Sequence, residues 1–331
     1  MSAKDFDKLF HQFTQLKVAV IGDVMLDTYW WGNVDRISPE APVPVVAVSK
    51  REQRIGGAGN VALNIASLGA SISMISVLGK DDDGEQLTKL LAEKNINTKY
   101  LVNSEYRITT NKIRIISRNQ HMMRLDAEIA DDIISDDEER LMYAFENYIA
   151  AEDPDIVIME DYNKGVLTEY VIKSIINLCK KHNILTAVDP KRKNFFTYEG
   201  VDIFKPNLKE VKDGLNIIRD EINISVLKDM HLLLQEKLEH HISLITLSEK
   251  GVFYQHENNA AIIPTHIRSI ADVSGAGDTV IAIASLVYAA TKDAKLMAEI
   301  ANIAGGLVCE EVGTVAIDKK KLLGECVHLL S

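Results

Sequence analysis

The sequence has no G-x-x-x-x-G-K-[ST] segment, no C-x-x-C pair and no H-E-x-x-H spacing. The first absence excludes a P-loop nucleotide site, and the last leaves the nine histidines without a metal-ligand pattern. Cys179, Cys309 and Cys326 lie far apart, so neither a disulfide framework nor a zinc knuckle is indicated; buried, reduced thiols in a cytoplasmic protein fit instead. Positive charge is in deficit: 37 Lys and Arg against 48 Asp and Glu give a net charge of −11, which disfavours nucleic acid and anionic membrane surfaces as partners. Long apolar runs are absent too. The most apolar stretch, Val280 to Ala290, is too short to span a bilayer, and the N-terminus, with Asp5 and Asp7, is no secretory signal. There is no Pro/Gly/Ser-rich linker, internal repeat or low-complexity run. With 47% hydrophobic and 26% charged residues, the 331 residues read as one globular domain.

What is present is a βα rhythm. Phe6, Leu9, Phe10 and Phe13 share a helical face over Asp5 to Gln15, and Lys17-Val-Ala-Val-Ile-Gly22 reads as a buried strand. Pro42 to Ser49 alternates as a half-exposed strand. Asn60 to Leu68 and Gly84 to Lys94 read as helices on either side of strand Ile72 to Leu78. From Ser135 the alternation is regular: helix Ser135 to Ala150, strand Asp155 to Met159, helix Thr168 to His182, strand Leu185 to Val188, strand Val201 to Phe204, helices up to Glu239, strand Ile242 to Thr246. This pattern predicts a mainly parallel sheet with helices on both faces, and ligands beyond the carboxyl ends of its strands. Thr109 to Ile116 and His121 to Leu125 lack accompanying helices. They predict a small antiparallel insertion, built from roughly 23–50 and 98–127.

Two glycine-rich segments stand before helices. Asp272-Val-Ser-Gly-Ala-Gly-Asp278-Thr279 leads into the apolar stretch from Val280. Gly275 and Gly277 allow a tight turn with N–H groups aligned at a helix N-terminus, a natural anion site. A carboxylate beside bound phosphate is repulsive, so Asp278 needs a reason to be there; taking a proton from an attacking hydroxyl is one, and merely complementing the helix dipole is the other. Gly56-Gly-Ala-Gly-Asn60 opens the second helix. Its Gly57-x-Gly59-x-x-Ala62, with Asp81 further on, matches a dinucleotide fingerprint, but charged and polar Lys50 to Ile55 separates it from the preceding strand. A close-approach loop for a polyhydroxylated ligand, or a tight turn, fits better. Asn207 and Glu210 follow Pro206 at a strand end, either as a capping box or as a pair facing phosphate and Mg2+. Lys112, Arg114, Arg118 and Arg124 alternate on the insertion, as a solvated face or as a phosphate clamp. Trp30-Trp31 reads as packing within the insertion, and Asp81-Asp-Asp83 as a solvated helix start.

Taken together, these segments resemble the ribokinase-like (PfkB-type) carbohydrate kinase family over essentially the whole chain. Gly56 to Asn60 is similar to its N-terminal glycine signature and Asp272 to Thr279 to its C-terminal one, with Asn207-x-x-Glu210 between. The resemblance implies a three-layer αβα fold with a small β-sheet lid, and ATP and Mg2+ as cofactors, with a monovalent cation such as K+ in some members. It implies Asp278 as catalytic base and Gly275, Ala276 and Gly277 as anion hole. Asn207, Glu210, Ser248, Gly251 and Asn302 would serve the nucleotide, Glu210 meeting Mg2+ through water. Asp27, Gly56, Gly57 and Asn60 would hold sugar hydroxyls. Gly22-Asp-Val-Met-Leu-Asp27, Arg36-Ile-Ser-Pro-Glu-Ala-Pro-Val-Pro-Val45, Asp161-Tyr-Asn-Lys-Gly165 and Asp189-Pro-Lys191 narrow the resemblance to the kinase half of bifunctional heptose enzymes of lipopolysaccharide core synthesis. That implies phosphorylation of D-glycero-β-D-manno-heptose 7-phosphate at C1. The substrate phosphate would be met by Lys112, Arg114, Arg124, Lys164 and Lys191, with Asp189 beside them. The H-x-G-H motif of the adenylyltransferase half does not occur, so a stand-alone kinase is expected, with a homodimer paired through the lids. A kinase for fructose 1-phosphate or tagatose 6-phosphate, or a regulator without turnover, are the alternatives. Departures from the family pattern are Asn163 where glycine is expected, Ser274 where threonine is commoner, and Lys205 before Pro-Asn.

Overall fold

Lys17–Gly22 is apolar towards both faces, which suits a strand covered by helices on each side. In the computed structural model, which describes residues 2–118, 120–218, 221–266 and 268–331, the large sheet is wound around this strand. Nine strands lie in the order Asn259–Ile263, Val252–His256, Ile242–Thr246, Ile203–Phe204, Leu185–Asp189, Ile156–Glu160, Lys17–Gly22, Ser71–Gly79, Asn97–Ser104. The last seven run parallel, and the first two are added as an antiparallel hairpin. Helices cover both faces. Phe6, Ile65, Leu286 and Ile300 belong to the core on one side, and Phe145, Ile172 and Leu234 to the core on the other. After Lys17–Gly22 the chain first builds outward through Ser71–Gly79, then returns to add Ile156–Glu160 on the opposite flank. The switch point sets Gly22 beside Glu160, and Glu160 beside Asp189, at the carboxyl ends.

The second sheet has four strands, in the order Pro44–Gly57, Val24–Ile37, Asn111–Ser117, Gln120–Ala127. It is mixed rather than antiparallel, because its central pair, Val24–Ile37 with Asn111–Ser117, is parallel. Its limits also differ from those expected: Asn97–Ser104 is the edge of the large sheet, whereas Lys50 to Ile55 continues the small-sheet strand to Gly57. Val24–Ile37 escapes a period-two reading because it carries irregularities at Trp31/Gly32 and Val34/Arg36 that break the alternation. Trp31 stacks on Tyr29 at 6.4 Å between ring centroids, in keeping with packing inside this sheet.

A buried polar knot lies at the amino end of strand Ile242–Thr246, opposite the carboxyl ends. The Ser243 hydroxyl sits 2.8 Å from His231 Nδ1 and 2.6 Å from His240 Nε2. Burial pushes these imidazoles down to about 4 and about 3. Both folded values lie below the ordinary one, so the unfolded chain binds more protons as pH falls. The stabilisation is complete above about 6.5 and is lost on acidification towards 4 and 3. Roughly 2 kcal/mol per histidine should be lost between pH 7.5 and pH 5, seen as a falling urea midpoint. His231→Asn should flatten this dependence, and an equal slope in that variant would exclude the histidine as its source.

Candidate active site

Asp278 is placed by the helix it opens. That helix begins at Ala276, four residues earlier than the apolar stretch suggests, with Gly275 as its N-cap in the left-handed region at φ 77°. A Cβ at Gly275 would come within 2.7 Å of Asn60 Nδ2, so glycine is required there by conformation and by space. Gly277 differs: its φ is ordinary, and a Cβ would meet only Lys205 Nζ at 3.5 Å and Asp189 Oδ2 at 3.7 Å. The N–H groups of this first turn lack intrahelical acceptors, and the neighbours of Gly277 put the turn beside Lys205 and Asp189 at the strand ends, where an anion is favoured.

The Asp278 carboxylate is held from two sides. Asn60 Nδ2 donates to Oδ2 at 2.8 Å, and the Tyr162 hydroxyl donates to Oδ1 at 2.7 Å. Burial pushes the Asp278 carboxyl up, while these two bonds work against the shift. Glu160 and Asp189 complete a buried acidic group, with oxygens of all three within 4.8 Å of one another. Lys205 Nζ lies 2.7 Å and Lys191 Nζ 3.1 Å from Asp189, so the group is balanced from within. Burial raises the Asp189 carboxyl, but Lys191 and Lys205 outweigh it and the net shift is downward. Glu160 has no such partner. Burial, then Asp189 and Asp278, drives its carboxyl well above the usual range, and neither of its oxygens has a hydrogen-bond partner among the described residues.

Asn207 and Glu210 do form a capping box: Asn207 Oδ1 accepts from Glu210 N–H, and Glu210 Oε2 accepts from Asn207 N–H, both at 2.8 Å. The other Glu210 oxygen lies 3.1 Å from Lys191 Nζ, which links the cap to Asp189. Ser248 is in a short turn that ends at Gly251, where a Cβ would lie 2.0 Å from Ile263 O. Asn302 donates to Pro264 O at 2.9 Å, so Gly251 and Asn302 meet on the same 263–264 segment.

Asp27, Gly56 and Gly57 share the root of the small sheet, where a Cβ on Gly56 would lie 2.3 Å from Asp27 Oδ2. Every cation expected at the substrate phosphate has an acidic partner. Arg114 pairs with Asp27, and Arg124 with Asp126 at 2.9 Å. Glu128 is shared by Lys164 at 2.7 Å and Lys112 at 3.7 Å, and Lys191 joins Asp189 and Glu210. Arg124 has the most exposed side chain of the five, at 58%. The dinucleotide reading of Gly57 to Ala62 is overturned, because the strand that feeds helix Ala58–Leu68 belongs to the small sheet. Asp81 instead caps helix Asp82–Glu93, accepting from Gly84 N–H at 2.8 Å.

Sequence reasoning gave no role to Glu160, Lys205, Tyr162 or Asp23. The Asp23 carboxylate, buried just after strand Lys17–Gly22, accepts from the backbone N–H groups of Tyr162, Lys164 and Val166 at 2.8, 2.9 and 3.0 Å. It fixes the loop in which Asn163 adopts φ 54°, a left-handed conformation that asparagine tolerates where glycine was expected. At Ser274 the hydroxyl is used as threonine's would be, donating to Asp272 Oδ1 at 2.9 Å.

A family model described as pfkB family carbohydrate kinase matches residues 15–321. The protein named Bifunctional protein HldE from Aliarcobacter butzleri is 41% identical over 301 residues, covering 90% of this chain and 61% of that protein. Its namesake from Sulfurimonas denitrificans is 38% identical over 311 residues, covering 94% and 64%. The chain thus spans less than two thirds of the length of these relatives. Among solved structures, phosphofructokinase-2 from Escherichia coli in complex with potassium superposes with a TM-score of 0.78 at 19% identity, covering 94% of this chain and 99% of that one. Ribokinase from Arabidopsis thaliana complexed with ribose and ATP gives 0.71 at 16%, covering 93% and 98%. These likenesses establish the fold as ribokinase-like.

Proposed function

The chain belongs to the pfkB family of carbohydrate kinases and is a sugar kinase using ATP, and from the geometry of its strand ends we propose the reaction it performs. The γ-phosphoryl group of ATP passes to the C1 hydroxyl of D-glycero-β-D-manno-heptose 7-phosphate, giving the 1,7-bisphosphate and ADP, in the cytoplasm, on the route to ADP-heptose for lipopolysaccharide core. The observation that carries the reading is the buried Asp278 carboxylate, fixed between Asn60 and Tyr162 at the open N-terminus of its helix. Asp278 takes the hydroxyl proton, the sugar oxygen bonds to phosphorus, and the bond to the ADP oxygen breaks. The Gly277 and Asp278 N–H groups and Lys205 meet the charge on the transferring group. Mg2+ bound with ATP would supply neutralisation of the phosphate charge. Both Glu210 oxygens are engaged, by Asn207 N–H and Lys191, so that side chain would hold the ion through water. We assign no residues to a monovalent cation. Ser248, Gly251 and Asn302 serve the nucleotide, and Asp27, Gly56, Gly57 and Asn60 the sugar hydroxyls.

The segments resembling heptose kinases, and the 38–41% identity to the HldE proteins, support heptose over other sugar phosphates. Incubation with heptose 7-phosphate and ATP, with the product read by 31P NMR, should show a new anomeric phosphate. Turnover of fructose 1-phosphate or tagatose 6-phosphate alone would move the assignment, and no ADP release with any sugar would leave a binding protein.

For the substrate phosphate we expect Lys112, Arg114, Arg124, Lys164 and Lys191 to exchange their carboxylate partners for it. Neutralising a true clamp residue should raise KM for heptose 7-phosphate by roughly tenfold to a few hundredfold, the loss of a charge-assisted bond of ~1.5–3 kcal/mol, with KM for ATP nearly unchanged. The unphosphorylated heptose should be a poor substrate that the mutation does not worsen. If all five alanine variants penalise both sugars equally, the cluster is not the clamp. The small sheet acts as a lid in this reading. It exposes Val48, Met123 and Leu125, and a second copy of the chain would cover them, so the proposal includes a lid-to-lid homodimer. No helix among the described residues is long and apolar enough to cross a membrane.

A further inference from the structure

Tyr162 makes a bond that the phosphoryl-transfer scheme does not use. Its hydroxyl donates to Asp278 Oδ1 at 2.7 Å, opposite Asn60 on Oδ2, so each oxygen of the base has one fixed donor. The ring is itself fixed. Asp23 receives the Tyr162 backbone N–H at 2.8 Å and two further N–H groups of the same loop, and the Lys191 ammonium lies 5.6 Å from the ring centroid. Asp161, next in the chain, is tied down by the Tyr198 hydroxyl at 2.7 Å and by the Asn163 N–H at 2.7 Å. A loop anchored by two buried carboxylates thus presents one phenol to the base.

We infer that Tyr162 is a positioning residue for Asp278: its hydroxyl, donating to Oδ1 opposite Asn60 on Oδ2, orients the carboxylate and favours its ionised form. The inference rests on Asp278 being the base, and goes beyond it by giving a role to a residue on a different element. The other groups facing Asp278 are Asn60 from helix Ala58–Leu68, Glu160 and Asp189 from neighbouring strand ends, and Lys205 after the next strand. Asn60 and Lys205 favour the ionised form, whereas burial and Asp189 oppose it. Against these two, the loss of one donor should be visible as a change in basicity.

The test is kcat/KM against pH for wild type and Tyr162→Phe. Phenylalanine keeps the ring and its packing and removes only the donor. The acid limb of the profile should move to higher pH by about one unit, because a lost bond to the charged form favours the neutral one. At the plateau kcat should fall by about tenfold, with KM for ATP unchanged. Incorporating 3-fluorotyrosine at position 162, a stronger donor of nearly the same size, should move the limb the other way. A limb unmoved in both variants overturns the inference. Asp278→Asn, run alongside, separates the two levels: retained turnover in that variant removes the base, whereas its inactivity together with unmoved limbs removes only the role of Tyr162.

Discussion

Asp278→Asn is expected to fold, to bind ATP, and to turn over at least ~10²–10⁴-fold more slowly, the usual range for loss of a general base. The expectation of normal folding has a specific basis. Burial already disfavours the charge at this position, so removing it lifts a desolvation cost. The introduced amide can keep the Tyr162 hydroxyl on its oxygen. Its NH2 would face Asn60 Nδ2, a clash of two donors, but Asn60 Oδ1 has no hydrogen-bond partner among the described residues, so a flip of the Asn60 amide restores a bond. The thermal midpoint should therefore match or exceed that of the wild type, and calorimetric ATP binding should survive. Near-normal turnover in a folded, ATP-binding variant would remove Asp278 from the role of base.

The second large effect concerns Gly277. Valine there should fold and yet lose at least ~10²-fold in kcat, comparable to loss of one oxyanion donor at about 3 kcal/mol. The argument is spatial. A Cβ at 277 makes only ordinary contacts, with Lys205 and Asp189, so the fold accommodates it. Those two neighbours also mark where the side chain points, into the space above the first helical turn that the transferring phosphoryl group would fill. Gly275→Val is the contrasting control, since its left-handed φ and the contact with Asn60 should cost folding itself. If the remaining folded Gly277→Val protein works normally, the loop serves structure alone.

The parallel sheet was legible because its strands are continuous apolar runs separated by periodic helices, as at Lys17–Gly22 and Ile242–Thr246. Asn97–Ser104 was not, because an edge strand with one covered face carries Asn97, Thr98, Lys99 and Asn103 without penalty. Helix Ala294–Val308 has glycines at 305 and 306, which weaken a helical reading although its packing against Ala276–Thr291 holds it. The site divides along the same line. Gly275 to Asp278 could be read locally, because turn, helix start and carboxylate are contiguous. The contacts of Tyr162, Lys205 and Glu160 could not, since each is made with a residue distant in the chain, Asp278 at its helix start or Asp189 at a strand end. Nor does the order of residues show that five expected phosphate-binding cations each carry a carboxylate partner: Asp126 and Asp189 stand two residues from Arg124 and Lys191, but Asp27 reaches Arg114 from the neighbouring strand and Glu128 joins Lys164 to Lys112 across the fold.

The bond from Asn60 to Asp278 joins residues 218 positions apart, and the Asp23 contacts to the loop around Tyr162 close about 140. Contacts of such sequence separation form late, after many shorter loops have closed. During synthesis the base is made long after its partners Asn60 and Tyr162, so a growing chain can carry folded helices and no activity. In refolding, far-UV ellipticity should recover ahead of turnover, and phosphoryl transfer becomes a reporter for the final step of assembly.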